Sequence, residues 1–225
     1  MPEGPGVVSV HLTGRQLDRL PVGAGQYFVW RFRSGPGWTR GHPYSLSAAP
    51  RPDALRITVK DLGDGSAGVG RLRPGTRVLL EGPYGRLTAA ARRHRRVALL
   101  GCGVGVTPLR ALLEDLPYAH GDAALVYRAR SAGDLLFRAE LDALAQRRGA
   151  EVTYVVGPRR TDRASWLPES AGEWGDAAAL HHLIPDVAER DVYLCGPDDW
   201  MAAARAAVLA AGVPAESVHE ERFAW

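Results

Sequence analysis

The 225-residue sequence predicts a β plus α/β fold: an antiparallel Greek-key β-barrel followed by a doubly wound parallel sheet of five strands. Three observations carry that expectation. Up to about Gly85, apolar and polar residues alternate in short segments separated by glycine and proline. Beyond the basic run Arg92-Arg93-His94-Arg95-Arg96 the hydrophobic period changes from two to 3.6. A glycine-rich turn, Gly101 to Pro108, then joins the first strand of the second half to its first helix.

In the first half, segments 7–12, 27–33, 42–47, 55–60 and 77–81 read as strands, and no long helix is expected among them. The basic run 92–96 reads as a solvated linker, which divides the chain into residues 1–92 and 93–225. Segment 97–100 is the first strand of the second half, followed by a helix with Leu109, Leu112, Leu113 and Leu116 on one face. Segment 123–127 is the next strand. Asp134 is placed to cap a helix bearing Phe137, Leu141 and Leu144. Segments 151–156, 191–194 and 217–219 complete five strands, with an irregular stretch at 161–176 before a short helix ending near His181-His182. Strands alternating with helices imply right-handed crossovers, a parallel sheet, and a ligand crevice at the carboxyl ends of the strands.

Composition narrows the function classes. With 46% hydrophobic and 24% charged residues the chain is long and apolar enough to bury a substantial core. The net charge of +3 is spread over scattered bases, which argues against nucleic acid as a partner. Neither an apolar run long enough to cross a membrane nor a secretory leader is visible, so the expected location is cytoplasmic. Cys102 and Cys195 are too few to hold a metal or iron-sulfur centre, and adjacent helical positions point His181 and His182 apart, so no metal site is expected.

Two stretches carry chemistry. In His42-Pro43-Tyr44-Ser45-Leu46-Ser47 the proline fixes its own φ and holds His42 extended, so that an aromatic and a hydroxyl project from a pre-set strand. That suits a flat ring held edge-on; an ordinary buried strand with an edge proline has the same residues. The turn Gly101-Cys102-Gly103-Val104-Gly105-Val106-Thr107-Pro108 offers Thr107 as N-cap and Pro108 as first helical residue, leaving amide N–H groups for a phosphate; a purely steric glycine turn is the alternative. At the end of the second strand stand Arg128, Arg130 and Ser131, with Arg159 and Arg160 after the third. Two cations and a hydroxyl suit the 2′-phosphate of NADPH better than the 2′-hydroxyl of NADH; arginines that merely decorate exposed strand ends are the alternative. Cys195-Gly196-Pro197 ends the fourth strand, where a small uncharged thiol approaches a nicotinamide or serves as a buried structural cysteine.

Tyr44-Ser45, Gly63-Asp64-Gly65-Ser66, the turn Gly101 to Pro108, Cys195-Gly196-Pro197 and Glu221-Arg222-Phe223, in that order, resemble the ferredoxin-NADP reductase superfamily over nearly the whole chain. The resemblance implies an FAD-binding barrel and an NADP-binding sheet, and an enzyme that passes hydride from NADPH to FAD and then single electrons to an acceptor. It implies that Tyr44 packs on the flavin, with Ser45 near its reactive N5, and that His42, Pro43, Leu46, Val59, Lys60, Gly65 and Ser66 complete the FAD site. By the same resemblance Gly103, Val104, Gly105, Thr107, Pro108, Gly196 and Pro197 hold the dinucleotide. Ser45, Cys195 and Glu221 then flank the hydride path, with Phe223 or Trp225 covering the ring. His42 stands where most of the superfamily has arginine, and His42-Pro43 is similar to the branch of transmembrane ferric reductases and NADPH oxidases. That branch implies ferric iron or a haem-containing membrane domain as acceptor, and a place at the inner face of the membrane. The first strand begins within about ten residues of Met1, which leaves no room for such a domain ahead of it and implies an excised or naturally free form. A free flavin reductase and a nucleotide-binding module without turnover are the competing functions.

Overall fold

Along Tyr27–Phe32 every second residue is buried, Phe28, Trp30 and Phe32 inward and Tyr27, Val29 and Arg31 outward, the period of a half-buried strand. The computed structural model describes residues 1–63, 66 and 68–222. Its first half is built of β1 (Pro2–Gly4), β2 (Val7–Thr13), β3 (Tyr27–Phe32), β4 (His42–Ser45), β5 (Ala54–Lys60) and β6 (Val78–Tyr84). These form two antiparallel three-stranded sheets, β1-β2-β5 and β4-β3-β6, joined where Leu46 bridges Ile57. Phe28, Trp30, Leu46, Leu55 and Ile57 fill the space between them, and the Trp30 Nε1–H donates to the Tyr44 carbonyl at 2.9 Å. The result is an opened barrel. Strand β1 escapes sequence reading because Pro2-Glu3-Gly4 does not alternate and pairs with β2 through an irregular register.

The second half is a parallel sheet in the order β11-β10-β7-β8-β9, from β7 (Arg96–Cys102), β8 (Ala123–Ala129), β9 (Glu151–Val156), β10 (Arg190–Cys195) and β11 (Val218–Glu221). Helices α1 (Val106–Asp115), α2 (Arg138–Arg148), α3 (Asp176–Leu183) and α4 (Asp198–Ala210) cover its faces, with two cores, one on each side. After β7 the chain builds β8 and β9 on one side, then returns to place β10 on the other. The connections leaving the carboxyl ends of β7 and β10 therefore run to opposite sides, a topological switch point in front of which a crevice opens.

Two sequence expectations change here. The run 92–96 keeps Arg93, Arg95 and Arg96 exposed but is tied down through its backbone: Arg93 and His94 donate their N–H groups to Asp191 Oδ2, Asp191 Oδ1 meets His219 Nε2 at 2.8 Å, and Arg96 already belongs to β7. Asp191 is fully buried, so its charge is balanced entirely by these donors. Asp191→Ala is expected to cost roughly 1–3 kcal/mol by leaving the part-buried Arg93 and His94 N–H groups without their acceptor, read as a lower urea midpoint at unchanged m-value. Asp134 does not cap α2; its carboxylate closes a capping box with Ser131 around the short turn Ala132–Asp134. The residue before α2 is Phe137 at φ 58°, so that helix begins without a side-chain cap.

The halves are fastened by a polar network at their junction. Arg56, buried on β5, donates to the Ser47 hydroxyl and carbonyl and to both Glu140 oxygens at 2.9 and 3.0 Å, and its guanidinium lies 4.9 Å from the Phe137 ring centroid. Arg110 of α1 pairs with Glu140 and Glu114, and Glu114 accepts from the Ala49 N–H. Arg56→Leu is expected to destabilise by roughly 3 kcal/mol, because Glu140 and Ser47 stay behind without their donor. Thermal unfolding measures that loss.

Candidate functional site: two adjoining clefts

The glycine turn is tighter than its sequence suggests. Gly103–Gly105 forms one 3-10 turn that runs into α1, so the free N–H groups begin at Gly103. Thr107 is not the cap: it is the second residue of α1, and its hydroxyl donates to the Val104 carbonyl at 2.8 Å. Pro108, the third, is buried within the helix. Glycine is demanded sterically at two points. A Cβ on Gly105 would lie 2.3 Å from the Cys195 carbonyl oxygen, and one on Gly196 would lie 2.8 Å from the Trp200 ring and 3.0 Å from Cys102 Cβ. The tips of β7 and β10 thus close on each other at the switch point.

In front of this turn lies a cleft of about 580 Å³, which reaches from Pro5 and Val7 to Gly103, Val104 and Pro197. Lys60, Arg128, Arg130 and Arg159 all line it. Their commitments differ. The Arg128 guanidinium, buried, donates to the carbonyls of Ala129 and Pro158, and Arg159 pairs with Asp199 at 3.2 Å. Ser131 is drawn to Asp134, its hydroxyl donating at 2.7 Å, and does not line the cleft. Arg130 is exposed and has no ion pair among the described residues. Sequence reasoning missed Cys102, Trp166 and Trp200 in the wall; burial pushes the Cys102 thiol up to about 11, and Trp200 is fixed by an Nε1–H bond to the Trp166 carbonyl at 3.0 Å. The available signal was position: Trp200 falls in the first turn after the β10 tip, which faces the crevice.

A second, narrower crevice is lined by Pro43, Tyr44, Ser45, Val59 and Lys60 together with Val104 and Thr107. It brings the proline-stiffened strand against the glycine turn, and Lys60 borders both clefts. Tyr44 is 8% exposed, stacks on His42 with ring centroids 6.2 Å apart, and has its hydroxyl pushed up to about 12 by burial. The Ser45 hydroxyl is buried and has no hydrogen-bond partner among the described residues. A buried hydroxyl without a partner costs free energy unless a ligand supplies one. That orphan fits a flavin, whose ring edge carries acceptor atoms. Three expected contacts fall elsewhere. Leu46 turns its side chain into the barrel core, where alternation places it, and the Ser66 hydroxyl accepts from the Leu62 N–H and donates to the Gly63 carbonyl within its own loop. His42 lies behind Tyr44 rather than in the crevice wall. Gly65, Phe223 and Trp225 lie outside the described residues.

Cys195 and Glu221 face each other in register across β10 and β11. Cys195 is fully buried, with its thiol pushed up mainly by burial. Glu221 reaches past Gly85, whose Cβ would meet its Oε2 at 2.9 Å; burial raises the Glu221 carboxyl, and the Arg86 N–H offsets part of that. Tyr27 packs beside Gly85 and is the register partner of Ser45, so β3 and the end of β6 lie between Ser45 and Glu221. A carboxyl raised in the folded state favours folding where it is protonated. Its contribution is therefore lost as pH rises from the ordinary carboxylate range through the Glu221 value. A Glu221→Gln variant is expected to lose that part of the pH dependence of stability, measured as urea midpoints between pH 4 and 7.

An opened antiparallel barrel joined to a switch-point parallel sheet, with an orphaned hydroxyl between them, defines a flavin- and nicotinamide-binding architecture. This is the two-domain fold of the ferredoxin-NADP reductase-like superfamily. Residues 99–206 match the family described as Oxidoreductase NAD-binding domain. The chain is 31% identical over 92% of its length to the 3-ketosteroid-9-alpha-monooxygenase, ferredoxin reductase component, of Mycolicibacterium smegmatis. It is 30% identical over 99% of its length to the stachydrine N-demethylase reductase subunit of Rhizobium meliloti. It spans 57% and 64% of those two relatives. Among solved structures, the flavohem-like FAD/NAD binding domain of nitric oxide dioxygenase from Vibrio cholerae superposes with a TM-score of 0.74 at 26% identity, covering 99% of this chain and 94% of that one.

Proposed function

We propose that this chain is the flavin- and nicotinamide-binding part of an electron-transfer oxidoreductase, which takes hydride from NADPH onto FAD and delivers electrons singly to an acceptor. The observation that carries the reading is the Ser45 hydroxyl, buried without a partner where the proline strand meets the glycine turn. FAD, when bound, supplies the exchange between two-electron and one-electron chemistry. The protein's part is alignment. Ser45 donates its hydroxyl hydrogen to the ring edge, Tyr44 offers the packing surface, and Lys60 supplies the positive charge that arginine gives at the position of His42 elsewhere in the superfamily. The N–H groups from Gly103 onward hold the pyrophosphate of the dinucleotide. Glu221, its carboxyl pushed up by burial, stands beyond Gly85 on the far side of β3 from Ser45.

NADPH rather than NADH is favoured by Arg130, the cation at the cleft rim with no ion pair among the described residues. Arg130→Glu is expected to raise the KM for NADPH about tenfold and leave that for NADH within about twofold, since one charge-assisted bond is worth roughly 1.5–3 kcal/mol. The acceptor reading follows the relatives, named as the ferredoxin reductase component of a monooxygenase and the reductase subunit of a demethylase, and the nitric oxide dioxygenase domain. A haem-containing membrane domain or ferric iron as acceptor, with the chain at the inner face of the membrane, rests on His42-Pro43 alone. Loaded with FAD and passed through gel filtration, the protein is expected to emerge yellow and to bleach with NADPH under anaerobic conditions. A colourless protein that frees all its flavin yet still reduces added FAD would establish a free flavin reductase instead.

A further inference from the structure

We propose that Tyr127 is a positioning residue of the dinucleotide site: its hydroxyl ties the glycine turn to the turn that presents Arg130, so that the two respond as one unit and select a dinucleotide bearing a 2′-phosphate. This rests on the oxidoreductase reading above. Tyr127 stands near the carboxyl end of β8 with no exposed surface, and its ring lies in one core with Val106 and Leu109 of α1 and with Leu136 and Phe137. A buried phenol oxygen has one hydrogen to give and lone pairs to fill. Every partner it finds among the described residues is a main-chain group of a residue lining the cleft. The hydrogen is shared between the Gly103 carbonyl at 3.1 Å and the Asp134 carbonyl at 3.3 Å, while the oxygen accepts from the Leu136 N–H at 3.1 Å. Burial pushes the phenol up, so it stays a donor across the physiological range.

Each contact fixes one wall. The Gly103 carbonyl also accepts the Val106 N–H within the 3-10 turn, and in a planar trans peptide the N–H that follows it, on Val104, points the opposite way. Holding that carbonyl therefore aims one of the N–H groups that meet the phosphates. The glycine turn is itself pinned on its other side, where Gly105 packs against the β10 tip. On the opposite wall, Arg130, Gly133, Asp134 and Leu136 line the cleft. The capping box of Ser131 and Asp134 braces this segment internally, but among the described residues only Tyr127 hydrogen-bonds it to the glycine turn.

The backbone carries a sign of that constraint. Phe137, which follows Leu136, sits at φ 58°, a left-handed conformation that a residue with a side chain keeps only where its surroundings hold it. Two groups do so: Tyr127 through the Leu136 N–H, and Arg56, whose guanidinium lies over the Phe137 ring. Arg130 has no ion pair among the described residues, so its backbone alone places it in the cleft. Rigidity passed from the glycine turn through Tyr127 gives that cation a fixed distance from the phosphate-binding N–H groups. A fixed distance is what separates a dinucleotide with a 2′-phosphate from one without.

Tyr127→Phe removes one oxygen and keeps the ring. In the FAD-loaded chain it is expected to raise the KM for NADPH about tenfold, that for NADH no more than about threefold, and to change kcat less than about threefold. In the Tyr127→Phe background, Arg130→Glu is expected to cost less than about threefold, against about tenfold in the native chain, because the two substitutions disable one unit. A tyrosine that serves packing alone would lower the thermal midpoint and leave both ratios as they are. A second arm needs neither the variant nor turnover: hydrogen exchange read by mass spectrometry on the flavin-free native chain, with adenosine 2′-monophosphate as probe and adenosine as control. The probe carries the 2′-phosphate and no pyrophosphate. It is expected to slow exchange in segment 130–136 and in the glycine turn 103–106 together, at least about threefold, and adenosine in neither. The proposal is overturned if the probe slows segment 130–136 alone or neither segment, if Tyr127→Phe leaves the KM for NADPH within about twofold of native, if kcat falls as far as KM rises, or if the two substitutions multiply in full. Failure of the reading beneath it looks different. A native chain that loads FAD but does not bleach with NADPH is no oxidoreductase, while exchange with adenosine 2′-monophosphate still scores the coupling.

Discussion

Gly105→Ala is expected to lower kcat/KM for NADPH at least about a hundredfold, the effect of an ångström-scale misplacement of a binding loop. The added methyl would lie 2.3 Å from the Cys195 carbonyl oxygen and 2.7 Å from the Gly196 Cα, both main-chain atoms that cannot rotate away. The backbone of Gly105, at φ −61° and ψ −11°, is one that alanine adopts freely, so the damage is steric alone. Either the glycine turn or the β10 tip must move, and both face the dinucleotide. Stability should fall by roughly 1–3 kcal/mol from overpacking while the far-ultraviolet circular dichroism stays native. NADPH titration by tryptophan fluorescence reads the binding loss directly, since Trp200 and Trp166 line the same cleft.

Ser45→Ala should separate stability from chemistry. In the protein without flavin the hydroxyl is buried and has no partner among the described residues, so its removal is expected to leave stability unchanged or to raise it slightly. With FAD bound, loss of a positioned donor beside the reacting ring is expected to slow hydride transfer by about 10²–10³-fold. A structural serine would show the opposite pattern, with destabilisation and little effect on rate. Ser45→Thr keeps a hydroxyl and is expected to recover part of the rate.

Strand periodicity made most of the fold legible. Segments such as 27–33 and 97–100 announce themselves because burial follows the pleat on one sheet and excludes polar groups on both faces of the other. Strand β1 was invisible, since proline and glycine there form a strand only by pairing with β2. Thr107 was read as a cap because its residue type and place fit one; the structure tightens the preceding glycines into the helix and turns the hydroxyl back to Val104. The cluster read as a 2′-phosphate clamp was half legible: sequence shows its side chains at the strand ends, but not that Arg128, Ser131, Arg159 and Arg160 each have a local partner. The Arg56–Glu140 pair joins residues 84 positions apart and leaves no local pattern at all.

The central claim is that hydride reaches a flavin held at Ser45 from a dinucleotide held at the glycine turn. Anaerobic stopped-flow absorbance of the FAD-loaded chain, mixed first with NADPH and then, separately, with NADH, tests it most directly. The account predicts rapid single-turnover bleaching of the flavin with NADPH, slower bleaching with NADH, and a step slowed about 10²–10³-fold in Ser45→Ala. Flavin that binds and yet stays oxidised with both dinucleotides, or that bleaches equally fast in Ser45→Ala, would contradict it.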